Sequence, residues 1–110
     1  MSGQTPIGRL RHRVTLQQPV DTDDGSGGTA RTWADVVTLW ARIEPLDAGE
    51  RVGAERIEAA ADTRVTIRWR AGVTHAMRFS FGTRVFEIRG LTDREERHRF
   101  LDCLCEEIAP

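Results

Sequence analysis

Side chains able to do chemistry are few in this 110-residue chain, and they are scattered. Asp21, Asp23 and Asp24 stand beside Gly25, a grouping with some likeness to a calcium loop. The spacing fails on two counts. The glycine falls one place early, and the twelfth position, which needs a bidentate glutamate, holds Thr32. A solvated turn accounts for the same residues without an ion. His12, His75 and His98 fall on strand and turn positions. No His-x-x-x-His, Gly-x-Ser-x-Gly or glycine loop opening a helix accompanies them. A catalytic centre needs a nucleophile, a base and an orienting group, and no such set is laid out. The chain reads as a non-enzyme that takes no metal and no cofactor.

Cys103 and Cys105 are the only cysteines. On a strand they share a face at roughly 6.5–7 Å, at or beyond the usual disulfide limit. They read as two small buried hydrophobes. Arg64, Arg68, Arg70, Arg78, Arg84 and Arg89 alternate with apolar residues, a pattern compatible with a nucleic-acid platform on a small barrel. Such platforms add exposed aromatics for stacking. Trp69, Phe79, Phe81 and Phe86 fall on the apolar faces instead, so a solvated or subunit-contacting face is the better reading.

The elements that carry these residues follow from periodicity. Thr63 to Leu91 alternates apolar and polar residues in three runs, with Ala71-Gly72 and Gly82-Thr83 between them. A period of two is the strand period, and three strands with short turns predict an antiparallel meander. A strand over about Leu10–Pro19 places Leu10, Val14 and Leu16 on one face, with His12 among them; Pro19 is expected to end it. Asp21 to Arg31 is polar and glycine-rich and predicts a long hairpin loop. A second strand over about Thr32–Glu44 puts Val37, Leu39, Ala41 and Ile43 on one face and Val36 and Trp40 on the other, so both sides are expected to be covered. Pro45 closes it. Asp47 to Asp62 is rich in Ala, Glu and Arg and predicts one short helix, with Asp47 and Glu50 as a capping pair. Thr92 to Arg97 is a charged turn. His98 to Glu107 is a last strand, with helix as the competing reading because Phe100, Leu104 and Ile108 also fall at helical spacing. The strand is preferred because six strands close a small barrel and remove exposed edges.

The totals agree with one small domain. The chain is 39% hydrophobic and 30% charged with a net charge of -1, ordinary for a globular protein. Near-neutrality advertises neither a nucleic-acid field nor an acidic one. Residues 1–8 read as a flexible arm and 9–110 as the domain. With no apolar leader and no run of about 20 apolar residues, the chain is expected to be made in the cytoplasm and to have no membrane partner.

The residues taken together resemble the bacteriophage head–tail joining family, the head-closure or stopper connectors, gene-transfer-agent versions included. The likeness lies in Ile7-Gly8-Arg9-Leu10-Arg11-His12-Arg13-Val14-Thr15-Leu16, the loop glycines, Trp33 and Trp40-Ala41-Arg42-Ile43-Glu44-Pro45. It continues through Glu50, Thr63–Arg70, Met77-Arg78-Phe79, Arg84–Ile88, Asp93 and Cys105-Glu106. Ala59–Ala61 departs from the bulkier polar residues usual there. The resemblance implies a mainly β fold, a small antiparallel barrel of about six strands with one short helix and a long hairpin loop. It implies a structural subunit of a homo-oligomeric ring, a hexamer or dodecamer, at the neck of a virion or phage-like particle assembled in the bacterial cytoplasm. Portal or adaptor proteins would be partners on the head side, and a tail terminator or tail tube on the other. DNA would pass through without specific binding. Asp21, Asp23, Asp24, Gly25, Gly27 and Gly28 are then the candidate channel or gating loop: three carboxylates and no basic residue between Asp21 and Ala30 would repel DNA. This loop is expected to become ordered only on assembly. Arg51, Glu55 and Arg56 are the candidate contact with a neighbouring subunit or adaptor. A tail terminator or other neck ring, and a nucleic-acid-binding small barrel, are the alternatives.

Overall fold

The alternating runs fold as strands, and their apolar sides meet around one axis. A computed structural model describes residues 10–47 and 61–108. The elements are β1 (His12–Asp23), β2 (Thr29–Pro45), β3 (Thr63–Arg68), β4 (Arg78–Phe81), β5 (Arg84–Asp93), a 3-10 turn (Arg94–Glu96) and β6 (Phe100–Ile108). All pairings are antiparallel, and the sheet closes in the order β1-β2-β3-β6-β5-β4. The expected small antiparallel barrel of six strands is therefore the fold. The helix expected over 47–61 falls almost wholly outside the described residues, as do the 1–8 arm and Arg51, Glu55 and Arg56.

One topological expectation is corrected. β4 and β5 form the predicted hairpin across Gly82-Thr83, but β3 does not pair with β4. β3 pairs with β2 and β6, while β4 pairs with β1 and β5. The connection through Trp69 to Met77 crosses an end of the barrel rather than turning tightly. The reason is that β6 takes the place beside β3. Its Leu101, Cys103 and Cys105 face inward, and Phe100 and Leu104 outward, as strand periodicity requires. A helix there would leave β3 and β5 with open edges.

The core is what the alternation selects. Val14, Leu16, Ala41, Val65, Ile67, Phe79, Phe86, Ile88, Leu101, Cys103 and Cys105 form one buried cluster. Val37, Leu39, Ile43, Trp69, Met77 and Phe81 pack against it in part. Val36 and Trp40, expected to be covered, are instead exposed on the outer wall. Among the described residues no strand or helix packs over that face of β2.

Strand limits also differ from expectation. Pro19 does not end β1; it pairs with Trp33 inside a ladder that runs on to Asp23 and Thr29. Beyond Gln17, β1 has no partner on its other side among the described residues, because β4 reaches only Thr15 to Gln17. An unpaired edge tolerates a residue with no N–H. The long loop expected over Asp21–Arg31 is thus mostly ribbon, with only Asp24 to Gly28 outside the strands.

Phe86 is fully buried at the centre of the cluster. Phe86→Ala is expected to lower the unfolding free energy by about 3–5 kcal/mol through lost transfer energy and an unfilled cavity. That is a large share of the ~5–15 kcal/mol typical of a domain. Urea denaturation followed by tryptophan fluorescence measures it.

Candidate functional site

Two surface features stand out from the barrel, an arm and a wall. The arm is the part of β1 and β2 that outruns its neighbours. It accounts for the elongated outline, 55 Å against 28 and 26 Å across. Its departure point is marked by a bulge: Leu16 pairs with Val37 and Gln17 with Asp35, so Val36 is the extra residue. A bulge bends the strand and sharpens its twist, which turns the ribbon away from the barrel. The root is tied by polar contacts. Arg78 donates from Nε to Gln17 Oε1 at 2.8 Å, and Gln17 Nε2 donates to Asp35 Oδ1 at 2.9 Å. The Arg78 guanidinium also sits 4.1 Å over the Trp33 ring.

Along the arm the two faces differ. Asp21 and Arg31 are cross-strand partners, joined by two hydrogen bonds of 2.8 and 3.2 Å. The hydrogen bond from Arg31 holds the Asp21 carboxyl below its ordinary pKa. This amends the charge argument: a guanidinium just past the loop neutralises the first of its three carboxylates. The opposite face carries Gln18, Val20, Thr22, Ala30, Thr32 and Ala34, with no formal charge.

At the tip the aspartates build the turn. Asp23 Oδ1 accepts from the Gly25 N–H at 2.9 Å; Asp24 Oδ1 accepts from Ser26 N–H at 2.8 Å and Gly28 N–H at 3.2 Å. Gly25 and Gly27 hold φ of 81° and 84°, in the left-handed region that glycine enters without cost. A Cβ at Gly28 would stand 2.9 Å from Asp24 Oδ2, so a side chain there would have to displace this carboxylate. The sequence-predicted group Asp21, Asp23, Asp24, Gly25, Gly27 and Gly28 is therefore brought together as a hydrogen-bonded tip. Asp24→Ala is expected to raise amide exchange at Ser26 and Gly28 roughly fivefold, about 1 kcal/mol of local stability. Asp24→Asn keeps the acceptor oxygen and should leave exchange near wild type. Hydrogen–deuterium exchange by NMR distinguishes the two.

The wall is a feature that sequence reading missed. Register alone defines a row across its strands. Arg13 on β1 pairs with Trp40 on β2, the next step of the β2–β3 ladder sets Trp40 beside Arg68, and Arg68 pairs with Phe100 on β6. All four point outward. Trp40 is 51% exposed, with the Arg13 guanidinium 4.9 Å from its ring centre. Leu10, Thr38, Leu39, Trp40 and Arg68 line a shallow, mainly apolar groove. Of the arginines expected to form a platform, Arg64 pairs with Glu44, Arg84 with Glu107, and Arg89 with Glu87 and Glu106. Arg11, Arg13 and Arg68 have no carboxylate partner among the described residues. The shared parity of Val36 and Trp40 was the available signal for this wall.

The titratable groups do not converge. His12 packs on Phe81 with ring centres 4.9 Å apart, His98 stacks on Trp69 at 4.2 Å, and His75 lies in an exposed turn. Among the described residues no three His, Cys, Asp or Glu side chains gather as a metal site requires. Cys103 and Cys105 are free, and burial raises both thiol pKa values far above the ordinary one. The chain has no tyrosine, and its 16 basic residues are all arginines. Alkaline titration below the arginine range therefore falls to the two thiols and the N-terminal amine. The native state keeps both thiol protons while the unfolded chain releases them above about pH 8.5. Stability is unaffected below that pH and falls above it, by about 2.7 kcal/mol per pH unit for two thiols. Urea titrations between pH 8 and 10 should show this slope, and Cys103→Ala/Cys105→Ala should remove it.

The described residues thus form a closed antiparallel barrel with a projecting ribbon and an aromatic–arginine wall. The chain belongs to the phage head completion protein family, whose model matches residues 5–108. A protein of Shigella flexneri 2a with a known solution structure is 33% identical, with a TM-score of 0.76 over 96% of this chain and 98% of that one. A chain of the virion of a native gene transfer agent particle shares the fold, at 21% identity and a TM-score of 0.64, covering 91% of this chain and 96% of that one. A search of curated proteins found no match. The family gives the chain a structural role in completing a phage or phage-like head, which points away from catalysis.

Proposed function

We propose that this chain is a head-closure subunit: copies form a ring at the neck that seals the DNA-filled head and offers the tail its docking surface. The observation that carries the reading is the pairing of a closed barrel with a long arm. A ring needs a rigid repeating unit, and closure of the sheet supplies rigidity by removing barrel edges. A seal also needs an element that reaches beyond that unit. The arm extends six residues past the last contact with β4, roughly 20 Å of ribbon. Its tip presents Asp23 and Asp24 with no basic residue before Arg31. Phosphate binding comes from Lys and Arg, so DNA is not gripped there and is free to slide past.

Arg51, Glu55 and Arg56, outside the described residues, remain the proposed contact with an adaptor or neighbour on the head side. Shortening the arm by replacing Gln18–Ala34 with a two-residue Asn-Gly turn between the paired Gln17 and Asp35 keeps the barrel ladders and removes the reach. Particles carrying this variant are expected to lose packaged DNA or to fail in tail joining. DNase-resistant DNA content and electron microscopy of the necks measure both. Wild-type retention together with normal tails would remove the arm from closure.

A further inference from the structure

We propose that the Trp40 wall is the receiving surface for the arm of a second copy of this chain. The wall offers an exposed indole flanked by Arg13 and Arg68, with the buried Leu10 and half-buried Leu39 lining the floor of the groove. It asks for an occupant that is uncharged in the middle and acidic at one end. The arm has that composition. Val20, Thr32 and Ala34 lie on its neutral face, and Asp23 and Asp24 stand at its tip. Trp40, Arg13, Arg68 and the tip are exposed in the isolated chain, and Val20 and Ala34 are half-buried along the arm. The contact joins two different surfaces, so it is heterologous, the kind that closes into rings when the rotation permits.

The same copy cannot make this contact. Asp23 pairs with Thr29, and Trp40 lies eleven residues further along the same continuous strand. An extended strand holds the tip and the indole on the order of 35 Å apart. The docking is therefore in trans. It gives the arm a seat on the neighbour's wall. This inference deepens the ring reading above and rests on it for its biological setting.

The test uses full-length chain. Ser26→Cys places a thiol at the tip, and Thr38→Cys places one in the groove; the buried Cys103 and Cys105 do not compete. The two variants are mixed at millimolar concentration under mild oxidation. A Ser26→Cys to Thr38→Cys disulfide dimer is expected. Arg13→Glu/Arg68→Glu in the Thr38→Cys partner should slow its formation roughly tenfold. Asp23→Asn/Asp24→Asn, which preserves the turn acceptors, should slow it in the other partner. Trp40→Ala should do the same without altering the circular dichroism of the barrel. No cross-link in the purified chain overturns the docking, even where heads still bind and tails still join. Cross-linking that ignores the charge reversals also overturns it. Salt-dependent binding of duplex DNA that disappears in Arg13→Glu/Arg68→Glu, without the cross-link, would make the wall a nucleic-acid surface instead. A charge-dependent cross-link in a chain that never binds filled heads supports the docking and removes the head-closure reading.

Discussion

The barrel depends on one placement, the last strand lying between the third and the fifth. Only with β6 there do β3 and β5 each have two neighbours, and only then does the sheet close. The connection from β5 to β6 carries the cost. Glu95, Glu96 and His98 hold φ of 58°, 53° and 54°, left-handed values that disfavour side chains. Such residues persist where surrounding contacts over-determine them. Here Asp93 accepts the His98 N–H at 3.0 Å. Arg94 donates to both Asp102 oxygens at 2.8 and 3.0 Å, and Asp102 also accepts the Thr66 hydroxyl at 2.7 Å. The turn is pinned onto the outer faces of β6 and β3, and Thr66 is fully buried although it points away from the core. Register, strain and the outer polar network are thus one arrangement.

Closure concentrates the remaining open edges in the arm. There, among the described residues, β1 and β2 have each other and no further partner, so both outer edges offer unpaired backbone groups. Such ribbons invite indiscriminate pairing unless blunted. Pro19 removes a donor, Asp21 and Arg31 add charge, and the bulge at Val36 twists the ribbon out of plane. The features that protect the arm from aggregation leave its neutral face and its tip available. An isolated two-stranded hairpin is marginal in water. The Arg78 contacts with Gln17 and Trp33 anchor this one to the barrel.

Local features of this fold were legible in the sequence, and nonlocal ones were not. Alternation in 63–68, 78–81, 84–91 and 100–107 identified strands, and the parity of Cys103 and Cys105 identified core positions. Strand order escaped the sequence because pairing joins residues far apart in the chain, and nothing local to Trp69–Met77 says which edge it serves. Pro19 misled because its usual role as a terminator assumes partners on both sides. Asp21, Asp23 and Asp24 were legible as a group, but their use was not: carboxylates that repel phosphate and carboxylates that accept backbone N–H groups look alike in one dimension. Arg31 fell just outside the window counted for charge, and register alone made it a partner of Asp21. Trp40 was assigned a covered face because an indole usually is covered; in a single copy it is not.

The net charge of -1 conceals how the charges are arranged. Within the ladders, arginines are answered locally, as in Arg84 with Glu107 and Arg89 with Glu106. Such exposed pairs add little stability, but they cancel the field of the strands that carry them. Among the described charges without an ion pair, Arg13 and Arg68 flank Trp40, while Asp23 and Asp24 stand at the far end of the β1–β2 ribbon. This separation discriminates between modes of self-contact. A two-fold pairing of walls would set guanidinium against guanidinium, and a two-fold pairing of tips would set carboxylate against carboxylate. Like charges brought together cost several kcal/mol, on the order that decides specificity at interfaces. Among these groups, opposite charges meet only when the end of one copy faces the wall of the next, the heterologous arrangement proposed above.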